Sequence, residues 1–159
     1  MTRLLLLLLF LPAIAFADAK PAPKFEAVGF DGKKVTLDPY AGKVVLLDYW
    51  ASWCEPCKKS IPELDKLQAA YGSKGLVVLG VSIDQEKDHA KARDLAAGKS
   101  YRFAFDVTDS PSWKKWSVHI IPSAFLIDRK GQVVKYWPGV PKDPNAIENA
   151  IKQELGSLP

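Results

Sequence analysis

The sequence predicts a single α/β domain with a mixed central sheet and helices on both faces. Its length of 159 residues suits one domain, and 48% apolar with 25% charged residues is an ordinary balance for a folded globular protein. Apolar runs typical of buried strands alternate along the chain with segments of helical periodicity. The run at 44–50 is apolar at nearly every position, which indicates a central strand covered on both faces.

Turn signals and periodicity predict the elements of the N-terminal half. Segments 25–30 and 34–37 flank an Asp-Gly pair that is typical of hairpin turns, so we expect a hairpin before the central strand. A helix should begin around the two cysteines and continue through Tyr71, because apolar residues recur at helical spacing up to that point and glycines follow it. The β-branched run 76–83 predicts a second strand, and the strand–helix–strand order implies a parallel crossover.

The C-terminal half is predicted to add two helices around a third strand, then a hairpin and a closing helix. In chain order these are a charged helix, a strand, a short helix, two hairpin strands and an amphipathic helix, at residues 85–99, 101–107, 111–116, 123–127, 132–137 and 145–155. Ser110 is the expected N-cap of the short helix, whose first turn suits Pro111. We expect the closing helix to be capped near Asp143 or Asn145.

The first residues are typical of a secretory signal peptide. Arg3 precedes an apolar stretch of about 14 residues, too short for a helix that crosses a bilayer, which needs roughly 20. The small residues of Ala-Phe-Ala at 15–17 suit signal peptidase. We therefore predict a signal peptide at 1–17, a folded domain at 18–159 and a periplasmic location. An uncleaved N-terminal anchor is the alternative, whereas a lipoprotein anchor is excluded because no cysteine follows the apolar run directly.

The charge distribution argues against nucleic acid as a partner. The formal net charge is +4 and the isoelectric point is near 9.0. Lysines and acids nevertheless alternate through most of the chain, and no basic stripe with interleaved aromatic residues is present. Such a pattern is typical of a solvated surface and gives little support for an acidic partner.

The chain has two cysteines, Cys54 and Cys57, and their spacing indicates redox chemistry rather than a structural cross-link. Closing so short a loop would stabilise the fold by only about 2 kcal/mol, and a domain of this size has little need of it. A zinc site would need two further ligands, and the two histidines, His89 and His119, are most simply solvated residues. We therefore predict no metal and no cofactor.

The predicted position of the pair explains how a thiol can react. Cys54 falls at the junction of the buried strand and the helix, where unpaired backbone N–H groups and the positive end of the helix dipole favour a thiolate. Lys58 and Lys59 add positive charge one turn further on. Cys54 is thus expected to be the exposed nucleophile of low pKa, and Cys57, one turn into the helix, to resolve the mixed disulfide. Pro56 suits the first turn of the helix.

Segment 48–59, Asp-Tyr-Trp-Ala-Ser-Trp-Cys-Glu-Pro-Cys-Lys-Lys, closely resembles the active-site strand and helix of thioredoxin-like proteins, above all those of the exported TlpA and ResA type. The likeness continues in Pro62, which matches a proline that kinks the active-site helix, and in segment 118–123, which resembles the loop with the family's cis-proline. It covers essentially residues 24–155. For the domain at 18–159 it implies a thioredoxin-like fold with an N-terminal hairpin extension and a central αβ insertion at 85–107.

The resemblance also implies roles for single residues. Pro122 would have a cis peptide bond and pack against the sulfurs, which leaves the backbone of Ile121 free to pair with a substrate strand. Asp48 occupies the place of a buried acid that exchanges a proton with the resolving thiol, and burial would raise its pKa. A hydrogen-bonded structural acid is the alternative for Asp48. The predicted catalytic residues are thus Cys54, Cys57, Asp48 and Pro122, and the predicted substrate-binding residues are Trp53, Glu55, Pro56 and Ile121.

The chain departs from the ResA pattern at two positions. ResA-like proteins carry an acid three residues after the second cysteine, where this chain has Ser60, and they often lack the acid that Asp48 provides. The chain therefore combines thioredoxin-type proton chemistry with a ResA-type dipeptide between the cysteines. Glu55 in that dipeptide should be exposed and should oppose the thiolate, which makes the pair more reducing. Trp53 is a candidate surface contact for substrate, whereas Trp50 is expected in the core.

Two acids near the sulfurs disfavour an extreme oxidant, so we predict a protein-disulfide reductase. By resemblance its substrates would be the heme-site cysteines of apocytochrome c or the cysteines of copper-site assembly proteins, and a membrane thiol-electron donor would recharge it. We expect a monomer. The alternatives are a disulfide donor and a copper- or zinc-binding module that uses Cys54, Cys57 and His119. A peroxidase is disfavoured because the motif around a lone peroxidatic cysteine is absent.

Overall fold

A computed structural model describes residues 20–156 of the chain. Within that range eight strands form one sheet, and four α-helices lie against it. The strands are β1 (Lys20–Pro21), β2 (Ala27–Gly29), β3 (Lys34–Val35), β4 (Val44–Trp50), β5 (Leu76–Ser82), β6 (Arg102–Asp106), β7 (Ser123–Ile127) and β8 (Gln132–Pro138). The helices are α1 (Glu55–Tyr71), α2 (His89–Ala96), α3 (Ser112–Lys115) and α4 (Ala146–Gly156).

The sheet is mixed and β4 lies at its centre, which confirms the prediction. The strand order is β1-β8-β7-β4-β5-β6-β2-β3. β4 and β5 are parallel, and so are β5 and β6, whereas β7 pairs with β4 antiparallel. Helices α1 and α2 lie in the crossovers of the two parallel pairs. The N-terminal hairpin of β2 and β3 adds to β6 at one edge, and β1 pairs with β8 at the other.

Every residue of β4 is buried, and its alternate side chains supply two separate cores. The even-numbered positions face a core completed by α1, α2 and α4, and we call this side of the sheet the α1 face. The odd-numbered positions face a second core, completed by aromatic residues in and after α3 and by the segment before β2. Helices on both faces are thus confirmed, but only the one-turn α3 lies opposite the α1 face.

Two predicted features of the second half are different in the structure. Segment 85–99 is not one helix, because a 3₁₀ turn at Glu86–Asp88 precedes α2. Ser110 does not cap α3. The carboxylate of Asp106 instead accepts hydrogen bonds from two backbone N–H groups in the first turn, at 2.8 and 3.0 Å. Asp106 ends β6 and so reaches the helix from the neighbouring strand, and an ionised acceptor binds helix N–H groups more strongly than a hydroxyl does.

The predicted signal peptide at 1–17 lies outside the described residues. Within residues 20–156, no helix combines the length and the hydropathy of a membrane span. The predicted central insertion is present as α2 and β6, which extend the sheet between β5 and the N-terminal hairpin. The predicted elements are therefore all found in that part of the chain, with boundaries that differ by a few residues.

Candidate active site

The cysteine pair lies where the chain passes from β4 into α1. Cys54 is the N-cap residue of α1, with extended backbone angles, and Cys57 lies in its first turn. The two form a disulfide, with their Cα atoms 5.3 Å apart. The backbone N–H of Cys57 points at Cys54 Sγ from 3.3 Å, so this group can donate to a Cys54 thiolate in the reduced protein. Pro56 costs no hydrogen bond there, since first-turn N–H groups have no partner within a helix.

Cys54 is the more accessible of the two sulfurs, but it is not exposed as the sequence predicts. The exposed fraction is 7% for Cys54 and 1% for Cys57. Two exposed apolar side chains belong to the segments around it: Trp53 precedes it in the chain, and Ile120 lies in the loop before β7, one residue before the Ile121 carbonyl that faces Cys54 Sγ. The exposed apolar side chains of these two neighbouring segments suit a protein surface as the partner.

The loop before β7 faces the disulfide. The peptide bond between Ile121 and Pro122 is cis, as the resemblance implies. The Ile121 carbonyl oxygen lies 3.8 Å from Cys54 Sγ. The Pro122 carbonyl accepts a hydrogen bond from the Gly139 N–H at 2.7 Å, and Ser123 Oγ donates to a carbonyl of the same loop at 2.7 Å. The loop is thus held on both sides of the cis bond, with Ile121 against the reactive sulfur.

Asp48 is buried in the middle of β4, and its exposed fraction is 3%. Burial raises the pKa of Asp48 from 3.8 to about 8. No hydrogen bond to its side chain forms among residues 20–156. As an even-numbered position it lies on the α1 face, in the core to which Cys57 belongs. Its carboxyl therefore holds a proton at neutral pH on the side of the sheet where the resolving sulfur lies.

Sequence reasoning missed a buried polar cluster formed by Ser52, Ser82 and Asp84. Asp84 Oδ2 accepts hydrogen bonds from the Ser52 backbone N–H at 2.8 Å and from Ser82 Oγ at 2.7 Å, and Asp84 Oδ1 accepts from Ser52 Oγ at 2.7 Å. The cluster ties the loop that precedes Cys54 to the end of β5. An acid two residues after a parallel strand is a signal for this end of the sheet, but its partner at Ser52 is 32 residues away.

The charged residues around the pair form an exposed ion pair of their own. Glu55 is exposed, as predicted, and accepts a hydrogen bond from Lys58 Nζ at 2.6 Å. That hydrogen bond and the charge of Lys58 lower the pKa of Glu55. Lys58 was expected to add positive charge for the thiolate, but its ammonium is shared with Glu55. Ser60, at the position of the ResA acid, donates its hydroxyl to the Pro56 carbonyl at 3.2 Å.

The metal-binding alternative has no third ligand in the described part of the chain. Within residues 20–156, no three His, Cys, Asp or Glu side chains are grouped so that they could hold a metal ion. His119 is exposed on the loop before β7. His89, expected in solvent, stacks instead on Phe105 with ring centroids 3.5 Å apart, because the start of α2 packs against β6.

A groove of about 760 Å³ leads away from the active site along α1. One wall is α1 from Pro56 to Tyr71, and the other is the segment after β8 together with the start of α4. Its lining is mostly apolar, and Val140 on the far wall is exposed. The groove thus offers room for an extended peptide segment beside the cysteines.

Comparison with known proteins gives the family. The model of the AhpC/TSA family matches residues 19–136. Thiol-disulfide oxidoreductase ResA of a Bacillus cereus strain is 33% identical over 119 residues, which cover 73% of this chain and 66% of that protein. Thiol-disulfide oxidoreductase ResA of Geobacillus thermodenitrificans is 29% identical over 149 residues, which cover 94% of this chain and 82% of that protein. The chain spans 66% and 82% of the length of these curated relatives.

Solved structures similar to this chain are also thiol-disulfide exchange proteins. A protein described as a thiol:disulfide interchange protein DsbE, from Chlorobium tepidum, superposes with a TM-score of 0.78 at 36% identity, with 87% of this chain and 97% of that chain covered. A thiol:disulfide interchange protein of the thioredoxin family from Chlorobium tepidum TLS has a TM-score of 0.73 at 26% identity, with 89% and 100% covered. The chain belongs to the AhpC/TSA family, in the group of thioredoxin-like thiol-disulfide oxidoreductases that includes ResA and DsbE.

Proposed function

We propose that this chain is an exported protein-disulfide reductase that works through Cys54 and Cys57. The observation that carries the proposal is the buried Asp48 carboxyl, with a pKa of about 8, on the sheet face that Cys57 covers. A group whose pKa is close to that of a thiol can take the Cys57 proton and return it. When Asp48 is ionised, its negative charge also disfavours nearby thiolates, which favours the disulfide form of the protein and hence reduction of its substrate.

The geometry supports a two-step exchange. The Cys54 thiolate attacks one sulfur of the substrate disulfide, that bond breaks, and the released substrate sulfur leaves as a thiolate that takes up a proton. Asp48, once it has released its own proton to water, accepts the Cys57 proton, and the Cys57 thiolate attacks Cys54 Sγ in the mixed disulfide. The second substrate sulfur leaves, so two electrons have passed to the substrate and the Cys54–Cys57 disulfide remains. The backbone of Ile121 and the groove along α1 would hold the substrate segment.

The proposed substrates follow from the relatives and from the predicted leader. The relatives are named thiol-disulfide oxidoreductase ResA, and a signal peptide at 1–17 would deliver the chain to the periplasm. We therefore propose that it reduces cysteine pairs of extracytoplasmic proteins, such as apocytochrome c or copper-site assembly proteins. Because that compartment is oxidising, a membrane thiol-electron donor would have to reduce the pair again. We propose that it acts as a monomer.

The reduction potential of the Cys54–Cys57 couple tests the direction of electron flow. The protein is equilibrated in glutathione or dithiothreitol buffers of known potential and followed by tryptophan fluorescence, since Trp53 adjoins the pair. We expect a value near or below about −230 mV, towards that of thioredoxin. A value near −120 mV would make the protein a disulfide donor and contradict the proposal. The variant with both cysteines changed to serine is the control, and its fluorescence should not respond to the buffer.

A further inference from the structure

Asp48 lies in a row of unusually small neighbours. In β5 it is paired with Gly80, and in β7 with Ala124. Paired residues in adjacent strands point to the same side of a sheet, so these neighbours leave space beside the carboxyl on the α1 face. Beyond Gly80 the row continues with Phe103 in β6. The side chains that lie beside the carboxyl on the β6 side therefore come from beyond Gly80.

Aromatic side chains occupy the space over Gly80. A Cβ atom added to Gly80 would lie 3.0 Å from the Phe103 ring and 3.2 Å from Trp50 Nε1. Trp50 follows Asp48 by two residues on the same face, and its ring centroid is 5.7 Å from that of Phe103. Tyr101 belongs to the same core, with its ring centroid 4.2 Å from that of Phe103. Two side chains that carry hydrogen-bond donors thus border the space beside Asp48.

Both donors are buried without a partner. Trp50 Nε1 and Tyr101 Oη are shielded from solvent, and neither forms a hydrogen bond among residues 20–156. Leaving a buried polar group unpaired is unfavourable, so two of them on one face require an explanation. The charges that act on the Tyr101 hydroxyl are those of Asp48 and, from α1, Asp65. Asp48 is the acidic side chain on the α1 face of β4, so its carboxylate is the acceptor that suits these donors.

Few titratable groups share this environment. From α1 they are Cys57 and Asp65, and directly before β6 the group is Tyr101. Helices α2 and α4 contribute apolar residues to the core. Asp84, after β5, already accepts three hydrogen bonds from the two serines of its cluster. Burial is accordingly the cause of the raised pKa of Asp48, with no charged neighbour contributing to it.

We propose that Tyr101, together with Trp50, is a positioning residue of the redox reaction, whose hydroxyl donates to the ionised Asp48 carboxylate directly or through one water. The inference rests on the proposed role of Asp48 as the proton acceptor for Cys57. An ionised carboxylate in an apolar core needs donors, whereas a protonated carboxyl needs few. The two donors are unpaired while Asp48 holds its proton and become paired when it releases that proton, which makes ionisation of Asp48 less costly.

The test follows the titration of Asp48 in the oxidised protein, in which the two cysteines do not titrate. Carbon-13 NMR of the aspartate carboxyl groups reads the titration, and Asp48→Asn assigns the signal. Tyr101→Phe removes one donor and should raise the pKa of Asp48 by about 0.5–1 unit. Tyr71→Phe is the matched control and should leave it unchanged, because the Tyr71 hydroxyl already donates to Glu148 of α4.

A purely structural role of Tyr101 predicts a different result. At pH 5, where Asp48 is protonated, Tyr101→Phe should not lower the unfolding midpoint, because the variant removes an unpaired buried hydroxyl. An Asp48 titration curve in Tyr101→Phe that superposes on that of the wild type overturns the proposal. So does a lowered unfolding midpoint without a shifted titration.

The rate at which Asp48→Asn reduces a protein disulfide separates this inference from the proposed function. If that variant is as fast as the wild type, the proton role of Asp48 fails, while a shifted titration in Tyr101→Phe still supports the contact with the Tyr101 hydroxyl. If Asp48→Asn is slow but Tyr101→Phe leaves the titration unshifted, the proton role stands and the inference about Tyr101 is wrong.

Discussion

Two buried carboxyl groups on neighbouring strands have opposite surroundings. Asp48 in β4 and Asp84, two residues after the end of β5, are 3% and 8% exposed. Asp84 accepts three hydrogen bonds from Ser52 and Ser82, all at 2.8 Å or less. Asp48 accepts none among residues 20–156, and burial raises its pKa to about 8. Nearly equal burial thus goes with a carboxyl held by three hydrogen bonds in one place and with a proton-holding carboxyl in the other.

The difference arises from position along the strand. Asp84 lies beyond the C-terminal end of β5, where the loop after β4 passes close by, so hydroxyl and backbone donors can reach it. Asp48 lies in mid-strand, where the backbone groups are already used in the ladders to β5 and β7. A carboxyl at such a place is costly to ionise, and that cost is what makes it useful for proton exchange.

The largest expected effect is the pH dependence of stability that Asp48 causes. The folded protein keeps the Asp48 proton up to about pH 8, whereas the unfolded chain loses it near pH 4. Between these values the folded state binds more protons, so stability falls as pH rises, by about 1.4 kcal/mol per pH unit from this group. Asp48→Asn abolishes this contribution and should be more stable than the wild type by about 4 kcal/mol at pH 7.

Urea unfolding of both proteins from pH 4 to pH 8 checks this. Exposed acids and lysines contribute equally to the two curves, so the difference between the curves isolates Asp48. The difference should be close to zero at pH 4 and should grow steadily towards pH 8. Parallel curves would mean that the Asp48 carboxyl ionises in the folded state as it does in water, and the contrast with Asp84 would disappear.

The second effect is the loss of stability when the donors around Asp84 lose their acceptor. Asp84→Ala leaves the Ser52 backbone N–H and the hydroxyls of Ser52 and Ser82 without their shared partner, which should lower the free energy of unfolding by about 3 kcal/mol at pH 7. Ser82→Ala removes one donor and should cost about 1 kcal/mol. Asp84 and Asp48 should therefore change stability in opposite directions when each is replaced by a neutral side chain.

Urea unfolding at pH 7 of wild type, Asp84→Ala and Ser82→Ala measures these differences. An Asp84→Ala variant as stable as the wild type would show that the cluster does not hold the loop before Cys54. That result would also contradict the assignment of a stabilising role to Asp84, in contrast to the proton-exchange role of Asp48.

The burial of Asp48 and the position of the cysteine pair at the start of a helix could be predicted from the sequence, because both depend on local pattern. An acid in a seven-residue apolar strand and two cysteines at the start of a helix can be recognised without knowledge of pairing. The resemblance to thioredoxin-like proteins added the cis bond before Pro122, which the structure contains. It did not indicate how little of Cys54 is exposed, because that depends on the neighbouring loop and on Trp53.

The remaining features depend on contacts between distant segments. The pairing of Ser52 with Asp84 joins two loops, and the capping of α3 by Asp106 replaces the expected local cap at Ser110. The space beside Asp48 exists because the sheet register places Gly80 next to it. Strand boundaries and hairpins can be predicted from periodicity and turn residues, but register is set by the whole sheet.

The smallest expected effect concerns a third carboxyl, that of Glu55, which is exposed and paired with Lys58. Glu55→Gln removes a negative charge between the cysteines, so the thiolate becomes more favourable and the reduction potential of the pair should rise. Water and Lys58 screen that charge, so the change in the equilibrium constant with glutathione should be less than about twofold. Glu63→Gln is the matched control: Glu63 forms the same kind of pair with Lys66 at 2.9 Å, further along α1, and its loss should leave the potential unchanged. A change of tenfold or more in Glu55→Gln would show that an exposed charge acts on the sulfurs as strongly as a buried one, and burial would no longer explain why Asp48 differs from the other acids.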